Sequence, residues 1–395
     1  MRVNDYAVMA KRSGFHVRLI RRVAVSATVT LVGLSTLASS AVRVYASHPD
    51  AESVSTSAIE TAPCGWAATP PTTYQHVIWI WFEDSHLKNV IGNAAAPYIT
   101  NLAKTQCAYA LGWRADILSS APQYVPATAG ANCNSETLNN ITPAGDTCIT
   151  SGAAPAQSCV STTCKNTVAI TSIFEQVQNI PGDSWKAYEE SMPSNCSTAG
   201  HSGYYYVRHN PAPYFSHLRI AGQFGGNTCA TSDVVLPTTS CNGTSCSIAA
   251  SPNSLLDDLN NNTLPTFSFV TPNFCDDMHT KCAPYLSRFT NGDQWLAAWL
   301  PKIIASPAYQ NGSTAVFLMW DQTKFGEALP NVIVAPSVVP GSVISAATTI
   351  NNIAALGATE DMLGLGPIGC ATGLQGNGAP CPDGSTVDLR TLFNI

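Results

Sequence analysis

The chain of 395 residues reads as an α/β fold, a central sheet flanked by helices on both faces, carrying disulfide-tied loop insertions. Three observations predict it. Short continuous apolar runs alternate with segments of helical period. Three of those runs carry Asp, Glu or His just past their ends. The remaining length is rich in Ser, Thr, Asn, Gly and Cys and lacks any period.

The first run is His76–Phe82, apolar throughout and of strand length, as expected of a strand buried on both faces. Glu83-Asp84 follow it. Residues 96–106 then have helical character, with Pro97 suited to a first turn. Thr266–Val270 runs into Pro272-Asn273 and Asp276-Asp277-Met278-His279, and Ala315–Trp320 runs into Asp321. Between them Trp295, Leu296, Trp299, Leu300, Ile303 and Ile304 mark a helix over 293–304. Val332–Ala335 is a further short strand, and 351–363 a further amphipathic helix. In open α/β sheets ligands bind beyond the carboxyl ends of the strands, so the acids placed there are the candidates for function.

The N-terminus predicts export. Arg21-Arg22 close a basic stretch that leads into the weakly apolar segment 23–41 and then small residues, the order of a signal peptide over 1–47. Seven of the 19 Lys and Arg lie before residue 47, against one acid, Asp5, so the rest of the chain keeps 12 basic and 24 acidic residues. That balance disfavours nucleic acid and anionic lipid as partners. No other run is apolar enough to span a membrane, so no stable span is expected after signal cleavage. Residues 48–73 read as a flexible linker, and 74–395 as one domain with insertions near 131–167 and 225–262.

Fourteen cysteines fit an oxidising compartment. Cys133/Cys148, Cys159/Cys164, Cys241/Cys246, Cys275/Cys282 and Cys370/Cys381 form local couples. The spacing leaves the pairing of Cys64, Cys107, Cys196 and Cys229 open.

Glu83, Asp84 and Asp321, brought to one sheet edge, would repel one another unless a hard divalent cation with oxygen ligands lay between them. A serine needs a base or metal to act as a nucleophile, and the chain has no Gly-x-Ser-x-Gly elbow, which leaves a metal-activated serine in Ser119-Ser120-Ala121-Pro122. His279 lies just past a strand end, and His209 sits in Arg208-His209-Asn210-Pro211.

The ordered series Glu83-Asp84, Ala96-Pro97-Tyr98-Ile99, Ser120-Ala121-Pro122-Gln123-Tyr124, Arg208-His209-Asn210-Pro211, Phe267–Asn273 with Asp277-Met278-His279, Gly292–Leu296 and Trp320-Asp321 resembles the bacterial phosphoesterase family. That family holds secreted acid phosphatases and phospholipases C and belongs to the alkaline phosphatase superfamily. The resemblance spans about residues 75–365. It implies an alkaline-phosphatase-like sheet and metal-dependent phosphoryl transfer from a small-molecule or lipid phosphate ester. By position it implies Glu83, Asp84 and Asp321 as ligands of a divalent ion (Ca, Mg or Mn), Ser120 as nucleophile, His279 facing the phosphate, and His209 and Asp277 lining the substrate cleft. Ser119 is the rival nucleophile. The chain departs from the family pattern at Asp84 (usually Asn), Leu118 (often His), Gln322 (usually acidic) and Asn351-Asn352 (a Ser-His pair). A phosphomonoesterase is the leading expectation. A phospholipase C-like diesterase and a binding protein on a degenerate scaffold are the alternatives.

Overall fold

The structure is a computed structural model that describes residues 62–115, 120–130, 171–219, 228–285, 287–323, 326–373 and 381–395. The signal-peptide stretch 1–47, Leu118, Ser119 and the insertion at 131–167 with its four cysteines lie outside the described residues.

Eight strands form the main sheet: β1 (His76–Phe82), β2 (Ala108–Ala110), β3 (Trp185–Glu190), β4 (Asp233–Leu236), β5 (Phe267–Thr271), β6 (Thr314–Trp320), β7 (Val332–Val334) and β8 (Ser342–Ile344). Their order is β8-β2-β7-β6-β1-β5-β3-β4. Within it β7 alone runs against its neighbours. β1 lies between β6 and β5, parallel to both, with His76 opposite Thr314 and Val77 opposite Phe267.

The apolar runs are continuous because helices cover both faces. We number five of them α1 (Pro97–Asn101), α2 (Ala121–Ala129), α3 (Leu255–Asn261), α4 (Arg288–Ala305) and α5 (Asn352–Met362). On one face of β1, Trp79 donates its indole N–H to Thr359 of α5 at 3.0 Å, and the Trp81 ring lies 4.6 Å from Tyr124 of α2. On the other face Phe82 meets Trp295 of α4 edge-on at 6.1 Å. The expected 96–106 helix starts at Pro97 but changes at Leu102 to a wider π turn that ends at Gln106, beside the bridged Cys107.

Two sequence-derived boundaries shift. The 225–262 stretch, expected as a loop excursion, supplies β4 and α3 from its described part, so it completes the sheet. The expected linker is anchored from residue 62 onward. Cys64 is bonded to Cys107, Gly65 and Ala67 donate to the Pro336 carbonyl, and Arg390 donates to the carbonyls of Pro71 and Thr72. Cys241–Cys246, Cys275–Cys282 and Cys370–Cys381 pair as the spacing predicts, and Cys196 pairs with Cys229. Among the described residues no helix is long and apolar enough to cross a membrane.

Candidate active site

β1, β5 and β6 are parallel, so their carboxyl ends emerge together. Two backbone hydrogen bonds lock the three ends in register: Glu83 N–H donates to the Asp277 carbonyl (2.7 Å) and Asp321 N–H to the Phe82 carbonyl (3.1 Å). The chain then turns sharply. Asp84 (φ 40°) and Met278 (φ 75°) both adopt the left-handed region, at a cost of roughly 1–3 kcal/mol each. Arg288, at the start of α4, braces both turns by donating to the carbonyls of Asp84 (2.9 Å) and Met278 (3.0 Å). One turn along α4, a Cβ at Gly292 would lie 2.5 Å from Met278 Cγ, so only glycine allows α4 this close. Cys275–Cys282 closes the loop that carries Asp277 and His279.

The seven side chains expected from the sequence form one connected set. Ser120 immediately precedes α2 and donates its hydroxyl to Glu83 Oε2 at 2.9 Å. His209 Nε2 lies 3.3 Å from Glu83 Oε1, and its Nδ1 lies 3.1 Å from Asp277 Oδ2. The His279 amide donates to Asp277 Oδ1 (2.7 Å), and its ring Nε2 lies 3.4 Å from Asp84 Oδ2. Asp321 Oδ1 accepts from the amides of Asp84 (3.0 Å) and Gln322 (2.6 Å). Glu83, Ser120, His209, Asp277 and Asp321 are buried. Asp84 and His279, with side chains 36% and 28% exposed, form the open side.

Three residues without an assigned role join them. Tyr124, one turn after Ser120, donates its hydroxyl to Glu83 Oε1 at 2.8 Å. Arg208 donates from Nε to His209 Nε2 (3.1 Å), and its guanidinium lies 4.6 Å from the Tyr206 ring centre and 5.5 Å from that of Phe274. Arg288 is the third. The four-residue spacing of Ser120 and Tyr124 could have flagged Tyr124 once 121–129 was read as a helix. Nothing local marks Arg288, whose partners are backbone carbonyls of two separate loops, Asp84 far away in sequence and Met278 ten residues before it.

Burial drives the electrostatics. It pushes the Glu83 carboxyl well up, helped by the charges of Asp321, Asp277 and Asp84, and it raises Asp277 likewise. Asp321 is pushed up to about 7 by burial and then by Asp84. Burial and then Arg208 hold His209 well below its usual value, so the ring is neutral. Asp277 Oδ2 and Asp321 Oδ2 are buried without a hydrogen-bond donor, the His209 approach to Asp277 being close but out of line. Donor atoms of Glu83, Asp84 and His279 lie within 4.8 Å of one another. Buried acids with unmet oxygens, next to an imidazole, suit a divalent cation. A second trio, Cys196, Cys229 and Asp233, does not suit one, because both sulfurs are in the disulfide.

Two departures have structural explanations. Asn351 caps α5 by accepting from the amides of Ile353 and Ala354. Asn352 accepts from the Trp113 indole (2.9 Å) and Asn331 (3.2 Å) and donates to the Trp320 carbonyl (3.1 Å), bracing the strand end before Asp321. Both amides serve as scaffold.

A serine hydroxyl beside buried acids at the carboxyl edge of a largely parallel sheet is suited to handling an anionic ester once a divalent cation offsets those acids. The model of the Phosphoesterase family matches residues 92–333, and the chain belongs to that family. It is a phosphoric ester hydrolase. It is similar to a phosphatidylinositol-3-phosphatase of Mycobacterium tuberculosis, with 26% identity over 310 residues covering 78% of this chain and 83% of that protein. Among solved structures it aligns with an alkaline phosphatase superfamily protein from Vibrio parahaemolyticus (TM-score 0.44, 12% identity, 76% of this chain and 69% of the other). It also aligns with a lipoteichoic acid synthase from Listeria monocytogenes (TM-score 0.43, 10% identity, 76% and 75%).

Proposed function

We propose that the protein is an exported, metal-dependent phosphomonoesterase that forms a phosphoserine on Ser120. The observation that carries this reading is the contact between the Ser120 hydroxyl and Glu83 inside a cluster of acids with unmet oxygens. Glu83, Asp84 and Asp321 would hold a divalent ion (Ca, Mg or Mn), with His279 beside them. Such an ion supplies a lowered serine pKa and neutralises charge on the phosphoryl oxygens.

The chain's own groups divide the remaining work. Ser120 Oγ attacks phosphorus as its proton leaves towards Glu83 Oε2, and the bond to the leaving oxygen breaks. Ser120 stands at the amino end of α2, whose partial positive charge favours the developing anion. Tyr124 holds Glu83 in place from its other oxygen, with the His209 ring packed beside it. His279, at the open side, gives a proton to the leaving oxygen and later accepts one from the water that hydrolyses the phosphoserine.

The relative named as a phosphatidylinositol-3-phosphatase favours the monoester over the phospholipase C-like alternative. The scaffold roles of Asn351 and Asn352 weaken the case for a degenerate binding protein. Export is supported by the basic-to-apolar N-terminus and by the disulfides. The test is hydrolysis of a chromogenic phosphomonoester against phosphatidylcholine, with Ca²⁺, Mg²⁺ or Mn²⁺ added in turn. Ser120→Ala should lose roughly 10³-fold or more in kcat, while Ser119→Ala costs far less. Activity surviving in both variants would rule out the phosphoserine route.

A further inference from the structure

The loop closed by Cys275–Cys282 has two sides. One presents Asp277 and His279 to the active site. On the other lies a cavity of about 110 Å³, lined by this loop and by Asn291 of α4. Small-molecule sites run to roughly 300–1,000 Å³, so this one has room only for an ion and a few waters. Tyr204 and Ala283 on its lining are exposed, so it opens to solvent.

Two oxygens on the walls are unmet. Asn291 is 3% exposed, and its Oδ1 has no donor. Asp276 is 6% exposed and accepts at Oδ2 from Asn273 Nδ2 (3.1 Å), while no hydrogen bond reaches its Oδ1 among the described residues. The segments that carry them touch. A Cβ at Gly292, next to Asn291, would lie 3.0 Å from the Asp276 carbonyl. The local field is negative, because burial and then the charge of Glu190 push Asp276 up to about 8. Neither acid has an ion-pair partner among the described residues. Glu190 adds charge rather than a ligand, since the amides of Thr239 and Asn273 take its two oxygens.

From these unmet oxygens around an ion-sized cavity, we propose a second divalent-cation site, for Ca²⁺ ahead of Mg²⁺, separate from the active-site ion. A carboxylate oxygen, an amide oxygen and waters form a set that Ca²⁺ accepts in flexible geometry. Mg²⁺ demands a near-ideal octahedron and gives up its own waters reluctantly. With one carboxylate ligand the site is weak, on the order of 10⁻⁴–10⁻³ M, as in extracellular Ca²⁺ modules. The ion displaces the proton that Asp276 otherwise takes. It ties the loop bearing Asp277 and His279 to α4, whose Arg288 already braces the Asp84 and Met278 turns. The site does not rest on the phosphomonoesterase reading.

Calorimetric titration of the chelator-treated full chain with Ca²⁺ and, separately, Mg²⁺ tests this. The unsubstituted chain should bind one Ca²⁺ in this weak range, in addition to an ion held by Glu83, Asp84 and Asp321. Asp276→Asn should weaken that Ca²⁺ about tenfold or more. Asn291→Asp adds a second carboxylate and should tighten it by about the same factor. A gain of affinity cannot come from misfolding, so the second variant decides the matter should the first fail to fold. Amide exchange over 275–282 should slow on adding Ca²⁺ to the unsubstituted chain, and not in Asp276→Asn. Absence of the weak Ca²⁺, or an affinity that neither substitution moves, would overturn the site. Tighter binding of Mg²⁺ than of Ca²⁺ would overturn its assignment to Ca²⁺.

Discussion

Glu189, Glu190 and Asp233 are as deeply buried as Glu83, Asp277 and Asp321, yet the two groups are balanced in different ways. In the first group neutral donors meet the oxygens. Asn210 reaches both oxygens of Asp233 (3.0 and 2.9 Å), Thr271 donates to Glu189, and the amides of Thr239 and Asn273 donate to Glu190. Burial still raises these acids, Asp233 to about 8 and Glu190 to about 7, so a few protons make the group neutral and complete. In the second group Asp277 Oδ2 and Asp321 Oδ2 have no donor. A buried acid closed by amides and hydroxyls is structure, whereas one left open asks for a cation.

The largest expected effect separates the two groups directly. Glu83→Gln or Asp321→Asn should cost about 10³-fold or more in kcat/KM while the fold persists. Asp233→Asn should leave turnover within about twofold and appear as a changed unfolding temperature. Loss of turnover in Asp233→Asn at an unchanged unfolding temperature would erase the distinction.

Ligand linkage gives a smaller effect. At about 100 times its dissociation constant a divalent ion adds about 2.7 kcal/mol to stability, so it should raise the unfolding temperature by on the order of 5 °C. Asp321→Asn should lose most of that rise, and Asp233→Asn should keep it. Equal rises in both variants would place the ion elsewhere.

The smallest effect is the pH slope of the chelator-treated protein. Asp321 and Glu190 are raised to about 7, and Asp233, Asp276 and Glu360 to about 8, all above their unfolded values near 4. The folded chain therefore holds more protons than the unfolded chain between about pH 4 and 8, and stability falls as pH rises through that window. The unfolding temperature should be higher at pH 5 than at pH 8. Glu360 is the cleanest single group. Its Oε2 and the Gln176 Oε1 both lack a partner, and a proton on Glu360 can bridge them. Glu360→Gln should flatten the slope slightly without touching turnover, and a steeper slope would contradict this origin.

What the sequence revealed follows the same division. β1, β5 and β6 are uninterrupted apolar runs, and the acids after them stand out because the runs stop so abruptly. β3 was hidden because Trp185–Glu190 includes Lys186, Glu189 and Glu190, residues that read as surface until their donors on other segments are seen. β2 and β8, at three residues each, fall below any detectable period. In the site, Tyr124 acts through Glu83 on another segment, Arg288 through carbonyls of two separate loops, and Arg208 through the neighbouring His209. Apart from the Ser120–Tyr124 spacing, their roles come from tertiary geometry, which residue type and local spacing do not encode.

The strand order has a consequence for when activity can begin. β1 is made early, but the strands on either side of it arrive only with Phe267–Thr271 and Thr314–Trp320. These long-range pairings must close before Glu83, Asp277 and Asp321 can meet, and pairing of that kind is slow. A partly synthesised or still-unfolded chain therefore holds its acids apart. The hydrolase exists only once both flanking strands have docked on β1, so activity itself can serve as a reporter of the completed central sheet.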